Sequence, residues 1–205
     1  MNPAKKANII YPVNEFSLNR WSPRAFSDQP VSGEAVRSIL EAARWAPSAS
    51  NQQPWRFLVG LRPDETWKKI FETLDDWNKR WAVTVPVLIL VISEKAYSRD
   101  KKEVKNPYYA YDAGQAAAHL TVEAASRGLH VHQMGGFDAE VSSRIFEIPG
   151  DFQPLTAIAL GYGGDASALP EDLREKELSA RTRKGFDEFV FSEKFGQKST
   201  LFYEE

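Results

Sequence analysis

The stretch AARWAPSASNQQPWRF, residues 42–57, joins two kinds of periodicity. Upstream of it, Val36, Ile39, Leu40 and Ala43 recur at i, i+3, i+4 and i+7. That spacing predicts a helix over residues 32–46 with one apolar face, stopped by Pro47. Downstream, Trp55–Leu61 carries aromatic and branched residues and predicts a strand. Between them lies PSASNQQP. Its amides and hydroxyls can hydrogen-bond a ligand rich in carbonyls and ring nitrogens. The same residues also make an ordinary helix-to-strand turn.

Working outward, residues 64–81 predict one second helix, with Trp67, Ile70, Phe71, Leu74, Trp77 and Trp81 on a single stripe. Residues 85–92 are apolar on both faces, as a central buried strand is. Residues 107–127 predict a third helix, with Pro107 near its start and Gly128 as its stop. Its Ala113, Gly114, Ala116, Ala117 and Ala118 let another element approach closely, so this helix is expected to be central. A strand over 129–133, a helix over 138–146 capped by Asp138, and a strand over 155–160 follow. The last stretch, 169–205, is charged and irregular, with an apolar patch at Phe186, Phe189, Val190 and Phe191. It reads as an arm laid over something. No repeat or linker divides the chain, so residues 1–205 are expected to form a single domain.

Composition narrows the function. Hydrophobic residues are 42% and charged residues 26% of 205, which is ordinary globular usage. Aromatic residues reach 12%, with six tryptophans, and flat apolar surfaces suit an interface or a planar ligand. The 26 basic and 28 acidic residues are interspersed and leave a net charge of −2, which argues against nucleic acid as the main partner. No 18-residue apolar run is present, so no membrane partner is expected. The leading MNPAKKANIIYPVNE has lysines but no apolar core, so it is not read as a secretory signal. There is no cysteine, which removes disulfides, thiolate catalysis and iron–sulfur clusters together, and a cytoplasmic protein is expected.

Five constellations can carry chemistry. Arg20-Trp21-Ser22-Pro23-Arg24 places two guanidinium groups four residues apart, able to converge on an oxyanion if the segment turns helical, or to sit in ordinary surface ion pairs. The 47–57 segment is the second. Gln133-Met134-Gly135-Gly136-Phe137-Asp138 follows a strand, and its glycines either let backbone approach a ligand or simply make a tight turn. Gly161-Tyr162-Gly163-Gly164-Asp165 also follows a strand but fails the dinucleotide-binding spacing. Arg181-Thr182-Arg183-Lys184 is a basic cluster, suited to closing over a phosphate or to lying solvated. His130 and His132 alternate on a strand as a candidate metal pair. No third ligand has suggestive spacing, and core or solvated histidines account for them better. Asp75 and Asp76 read as surface decoration of a helix. A serine hydrolase lacks its G-x-S-x-G elbow.

In combination, R-x-S-x-R, AARWAPSASNQQPWRF, the strand–GGF–D turn, strand–LGYGG and R-x-R-K resemble, in order and spacing, the nitroreductase-like family of FMN-dependent oxidoreductases. The similarity runs from about Asn19 to Phe191, and PSxxNxQPW is its most specific piece. The resemblance implies an α+β fold, with a mixed, mostly antiparallel sheet flanked by helices, in an intertwined homodimer. Residues 169–205 would form a C-terminal arm on the partner subunit. FMN would lie at the subunit interface. Arg20, Trp21, Ser22 and Arg24 would serve its phosphate and its ribityl or pyrimidine side, and Arg181 and Arg183 would complete the phosphate grip. The partner would contribute Pro47, Ser48, Ala49, Asn51 and Gln53. Gly135 and Gly136 would present backbone N–H to flavin N5, with Met134 packed near the ring.

The implied activity is NAD(P)H oxidation coupled to reduction of nitroaromatics, quinones or related small electrophiles. NADH or NADPH would donate hydride through flavin N5 in ping-pong order, and no catalytic residue of the protein would be required. Many nitroreductases carry glutamate where this chain has Gly135, which changes the polarity over the ring. Two other readings stay open. One is different chemistry on the same fold: reductive dehalogenation, substrate dehydrogenation or flavin breakdown. The other is a non-catalytic flavin-binding or sensing protein.

Overall fold

The computed structural model describes residue 5, residues 7–99 and residues 101–202. The reading of the leading segment therefore lies outside the described residues at positions 1–4 and 6, as does that of the arm at 203–205. Among the described residues, seven α-helices and six strands run in the order α1 (Glu15–Asn19), α2 (Gly33–Arg44), β1 (Trp55–Leu61), α3 (Glu65–Thr73), α4 (Asp76–Ala82), β2 (Val87–Glu94), β3 (Ala96–Arg99), β4 (Lys102–Lys105), α5 (Tyr109–Ser126), β5 (His130–Met134), α6 (Ala139–Ile145), β6 (Phe152–Gly161) and α7 (Glu171–Leu178). The main sheet has the order β1-β2-β6-β5, and each of its three pairings is antiparallel. Leu155 is an extra residue where Val91 pairs with Thr156 and Ile92 with Pro154. This bulge accommodates a proline in an interior strand.

Helices cover both faces. On one, Val36, Ile39 and Ala43 of α2 and Ala113, Ala116, Leu120 and Ala124 of α5 pack on Val87, Ile89, Val91, Val131, Ile158 and Leu160. On the other, Trp67, Ile70, Leu74, Trp81 and Leu173 pack on Leu88, Leu90, Ile92, Met134, Ala157 and Ala159. Because β2 is covered on both sides, it needs apolar residues at every position, which is why it shows no alternation. Each fully buried Leu or Ile contributes about 1.5–3 kcal/mol.

Caps set the helix ends. Ser32 accepts from Ala35 N–H at the start of α2, and Asp138 accepts from Val141 N–H at the start of α6. Gly128 follows α5 with φ +71, a conformation that glycine adopts without strain. Three expectations are corrected. The single helix expected over 64–81 is two, broken at Leu74. There Leu74 bridges Phe137 and Asp75 N–H donates to Gly136 O (3.0 Å), while Asp75 caps α4 through Asn78 N–H. The α5 helix begins at Tyr109, two residues beyond Pro107. Residues 169–205 are not irregular throughout, because α7 forms there and buries Leu173 and Glu177 against its own chain. The β3–β4 hairpin has no counterpart in the pattern reading. Among the described residues no helix is long and apolar enough to cross a membrane.

Candidate active site

The segment carrying Arg20, Trp21, Ser22 and Arg24 is extended, not helical, and runs beside the β5–β6 edge. Hydrogen bonds from several elements hold it there. Gly164 N–H donates to Ala25 O (2.9 Å) and Ser27 N–H to Tyr162 O (3.0 Å). The carboxylate of Glu177, only 2% exposed, accepts from Arg24 N–H (2.9 Å) and Ala25 N–H (3.1 Å). The His132 ring lies 2.7 Å from Pro23 O through Nδ1. A carbonyl has no hydrogen to give, so Nδ1 carries the proton and donates. Burial, with the nearby Arg24 charge, holds the pKa of His132 down to about 4 despite that bond, and burial also lowers His130. His132 is therefore neutral at pH 7, and burial disfavours the charged form of His130 as well. Trp21 meets His130 edge-on, and Trp81 lies against His132.

Because the segment is extended, its two arginines part. Arg20 opens into a cavity of about 870 Å³ together with Arg181 and Arg183, between an apolar wall of Ile9, Ile10 and Tyr11 and the rings of Phe186 and Phe189. Burial and then the charges of Arg181 and Arg183 lower the pKa of Arg20, and no carboxylate of a described residue is among these influences. Arg181 is anchored by donating to Leu18 O (2.8 Å) and Lys5 O (3.1 Å). Ser22 Oγ accepts from Arg20 (3.4 Å). Arg24 instead borders a neighbouring cavity of about 430 Å³ with Arg62, Arg80 and Trp81, and its Nε is buried with no partner among the described residues. The convergence of Arg20 and Arg24 that a helical segment would give is therefore absent.

At the far end of β5, Met134 is buried and its carbonyl accepts from Thr156 Oγ1 (2.8 Å). Gly136 O accepts from Asp75 N–H and from Asn78 Nδ2 (both 3.0 Å), and a Cβ at Gly136 would collide with both of those side chains. Gly135 faces open space. The two glycines therefore do different work: Gly136 admits the α4 cap, and Gly135 leaves a clear approach to the backbone.

The 47–53 loop lies elsewhere. It precedes β1, while the other groups flank β5, and these strands form opposite edges of the sheet. Three strand spacings of about 4.8 Å separate the edges, roughly 14 Å. Within the loop Ser50, Asn51 and Gln53 have φ of 51, 53 and 49, left-handed values that cost roughly 1–2 kcal/mol each outside glycine. Gln53 N–H donates to Ser48 Oγ (3.0 Å), Gln53 Nε2 donates to Asn51, and Ala49 N–H donates to Asp112 Oδ2 (3.1 Å). Ser50, Asn51 and Gln53 remain exposed, as does Pro47.

Three residues that shape these groups escaped sequence reasoning. Asn78 lies off the apolar stripe of its segment, and its local sequence carries no sign of its distant partner, the Gly136 carbonyl. Asp112 offered one signal, a carboxylate on a helix face otherwise built of alanines. Glu177, within a run of charged residues, offered none. No group of three or more His, Cys, Asp or Glu able to hold a metal is found among the described residues.

The sheet and its two helical layers define an α+β protein with two separated polar half-sites. The chain belongs to the nitroreductase family, whose model matches residues 18–162. A crystal structure described as an oxidoreductase containing FMN is 36% identical, with a TM-score of 0.90 over 97% of this chain and 100% of that one. A provisionally named NADH dehydrogenase/NAD(P)H nitroreductase of Archaeoglobus fulgidus is 28% identical over 152 residues, 71% of this chain and 82% of its own. An iodotyrosine deiodinase of Haliscomenobacter hydrossis is 26% identical over 191 residues, 81% of this chain and 85% of its own.

Proposed function

We propose that this family member is an FMN-dependent NAD(P)H oxidoreductase whose two flavin sites are completed across a homodimer. The observation that carries the reading is the cluster of Arg20, Arg181, Arg183 and Lys184: four cations line one cavity, and no carboxylate of a described residue is among the charges acting on Arg20. A phosphate dianion supplies the missing counter-charge and matches guanidinium geometry. The buried, unpartnered Nε of Arg24 and the open approach to Gly135 fit a second, heteroatom-rich part of the same ligand. The residues present therefore suit FMN.

When bound, FMN supplies hydride exchange, first with NADH or NADPH and then with a small electrophilic acceptor at the same open face. The chain's own groups bind and orient. Arg20, Arg181 and Arg183 take the phosphate, and Ser22 adds a hydroxyl donor beside it. Gly135 and Gly136 expose backbone to the ring, and buried Met134 backs the turn. The loop 47–53 stands about three strands away from these groups, so a second copy of the chain is assigned the task of bringing Pro47, Ser48, Ala49, Asn51 and Gln53 to the flavin. The exposed part of residues 169–205 is assigned to that contact.

The name of the Archaeoglobus relative supports a nicotinamide donor and a nitro-group acceptor. The deiodinase relative favours a second reading, reductive dehalogenation at the same site. The deciding experiment is an anaerobic visible spectrum of protein reconstituted with FMN and desalted, before and after NADPH or NADH. Retained flavin that bleaches supports the reductase. Retained flavin that nicotinamide leaves unchanged moves the assignment to the second reading, tested next with halogenated phenols and a chemical reductant. Absence of retained flavin overturns both.

A further inference from the structure

Asp112 lies in the first turn of α5, where partial positive charge from the helix end favours a carboxylate. It is 2% exposed, on a helix whose other buried residues are Ala113, Ala116, Ala117, Leu120, Thr121 and Ala124. Its side chain accepts one hydrogen bond from a described residue, the Ala49 N–H, 63 positions earlier in the chain. Ala49 opens the turn that leads into the left-handed residues Ser50, Asn51 and Gln53. On either side the backbone is pinned by burial, at Ala46 before the loop and at Pro54 and Trp55 after it. Two side chains from outside the loop tether it between those ends: Asp112 at Ala49, and Arg56, which donates to Gln53 O (3.0 Å). Left-handed backbone at three non-glycine residues persists only where surrounding structure over-determines it. A buried carboxylate is retained only where hydrogen bonding offsets its desolvation. Each feature accounts for the other.

We infer that Asp112 is a positioning residue for the flavin held by the other subunit, acting through the 48–53 loop. The inference rests on the proposed shared site. It adds a residue that touches no cofactor, and a direction, because the effect must appear in trans. Asp112 holds Ala49, the strained loop keeps Ser48, Asn51 and Gln53 aimed outward, and the ligand meets them without having to order them first. An acceptor is what the tether needs, so an amide oxygen in place of the carboxylate preserves most of the effect.

The test uses full-length dimers carrying two different affinity tags. Asp112→Leu homodimers are expected to bind FMN at least tenfold more weakly than wild type, and Asp112→Asn homodimers within about threefold. Arg20→Ala homodimers supply the second defect. The decisive sample is the heterodimer with Asp112→Leu in one chain and Arg20→Ala in the other. If Asp112 acts in trans, both defects fall on one site, and titration finds one FMN per dimer at wild-type affinity. If it acts in cis, each site carries one defect and no wild-type site remains, which overturns the inference while leaving the shared site intact. Wild-type affinity in Asp112→Leu homodimers also overturns it alone. If Asp112→Leu fails to fold, Asp112→Ala, which likewise removes the acceptor, takes its place in the homodimer and heterodimer titrations. Asparagine affinity as poor as loss of the arginine then overturns the acceptor role. Wild-type protein that takes up no FMN overturns both the inference and the reading beneath it.

Discussion

Glu177 and Arg24, 153 residues apart in sequence, are joined by a 2.9 Å hydrogen bond from the Arg24 backbone N–H to the Glu177 carboxylate. The second oxygen takes the next N–H, that of Ala25. One buried side chain thus fixes the backbone from which the Arg24 guanidinium extends, and the helix that carries it comes from the segment expected to be an irregular arm. Glu177→Ala leaves two buried amides unpaired, at roughly 1–3 kcal/mol each. Urea unfolding is expected to show a loss of that order, and Glu177→Gln, which keeps one acceptor, a smaller one. Equal stability of all three proteins would remove the clamp from the account.

Arg20→Ala is expected to weaken FMN binding by about 1.5–3 kcal/mol, or ~10- to 150-fold in Kd, through loss of a charge-assisted contact. Its affinity should also depend less steeply on salt, because one cation has left the cavity. Fluorescence titration at two ionic strengths measures both effects. Unchanged affinity would detach Arg20 from the phosphate.

The neighbouring glycines should respond differently to one methyl group. Gly136→Ala forces the new Cβ into Asp75 and Asn78, and a loss of about 1–3 kcal/mol is expected. Gly135→Ala meets nothing within contact distance and should stay within about 0.5 kcal/mol of wild type. Chemical denaturation distinguishes the two, and equal penalties would contradict the α4 contact.

His132 makes acid stability predictable in sign. Its folded pKa, about 4, lies below the ordinary value of 6.5, so the unfolded chain binds the proton more readily. Its contribution is therefore complete above pH 6.5 and is lost progressively as pH falls toward 4, to an extent of roughly 2–3 kcal/mol. His132→Phe should flatten that part of the stability–pH curve while losing the Pro23 hydrogen bond at every pH. A curve of unchanged slope between pH 6.5 and 4 would refute this role.

A stable dimer is expected by sedimentation of the FMN-loaded protein. A monomer that retains FMN would separate the 47–53 loop from the flavin, because one chain holds that loop at the opposite sheet edge from the arginines.

Much of the architecture follows from local pattern. Residues 32–46 could be read as a helix because an apolar stripe at helical spacing and a following proline act within a few residues, and the observed helix ends two residues short of that bound, at Arg44. The strand Trp55–Leu61 and the doubly buried β2 were visible for the same reason, although β2 starts two positions late, after Pro86. Tertiary contacts decided the rest. The stripe from Trp67 to Trp81 continues at helical spacing, yet the helix breaks at Leu74, since the Asp75 amide bonds to the carbonyl of Gly136, a residue 61 positions away. Arg20 and Arg24 have the spacing of a common helix face, but Glu177 and His132 hold the segment extended and turn them to different cavities. By itself the sequence determined which segments bury an apolar face and which residue types could meet a flavin. The tertiary structure decided which of those residues face the same space, because hydrogen bonds between distant backbone groups carry no periodic trace in the chain.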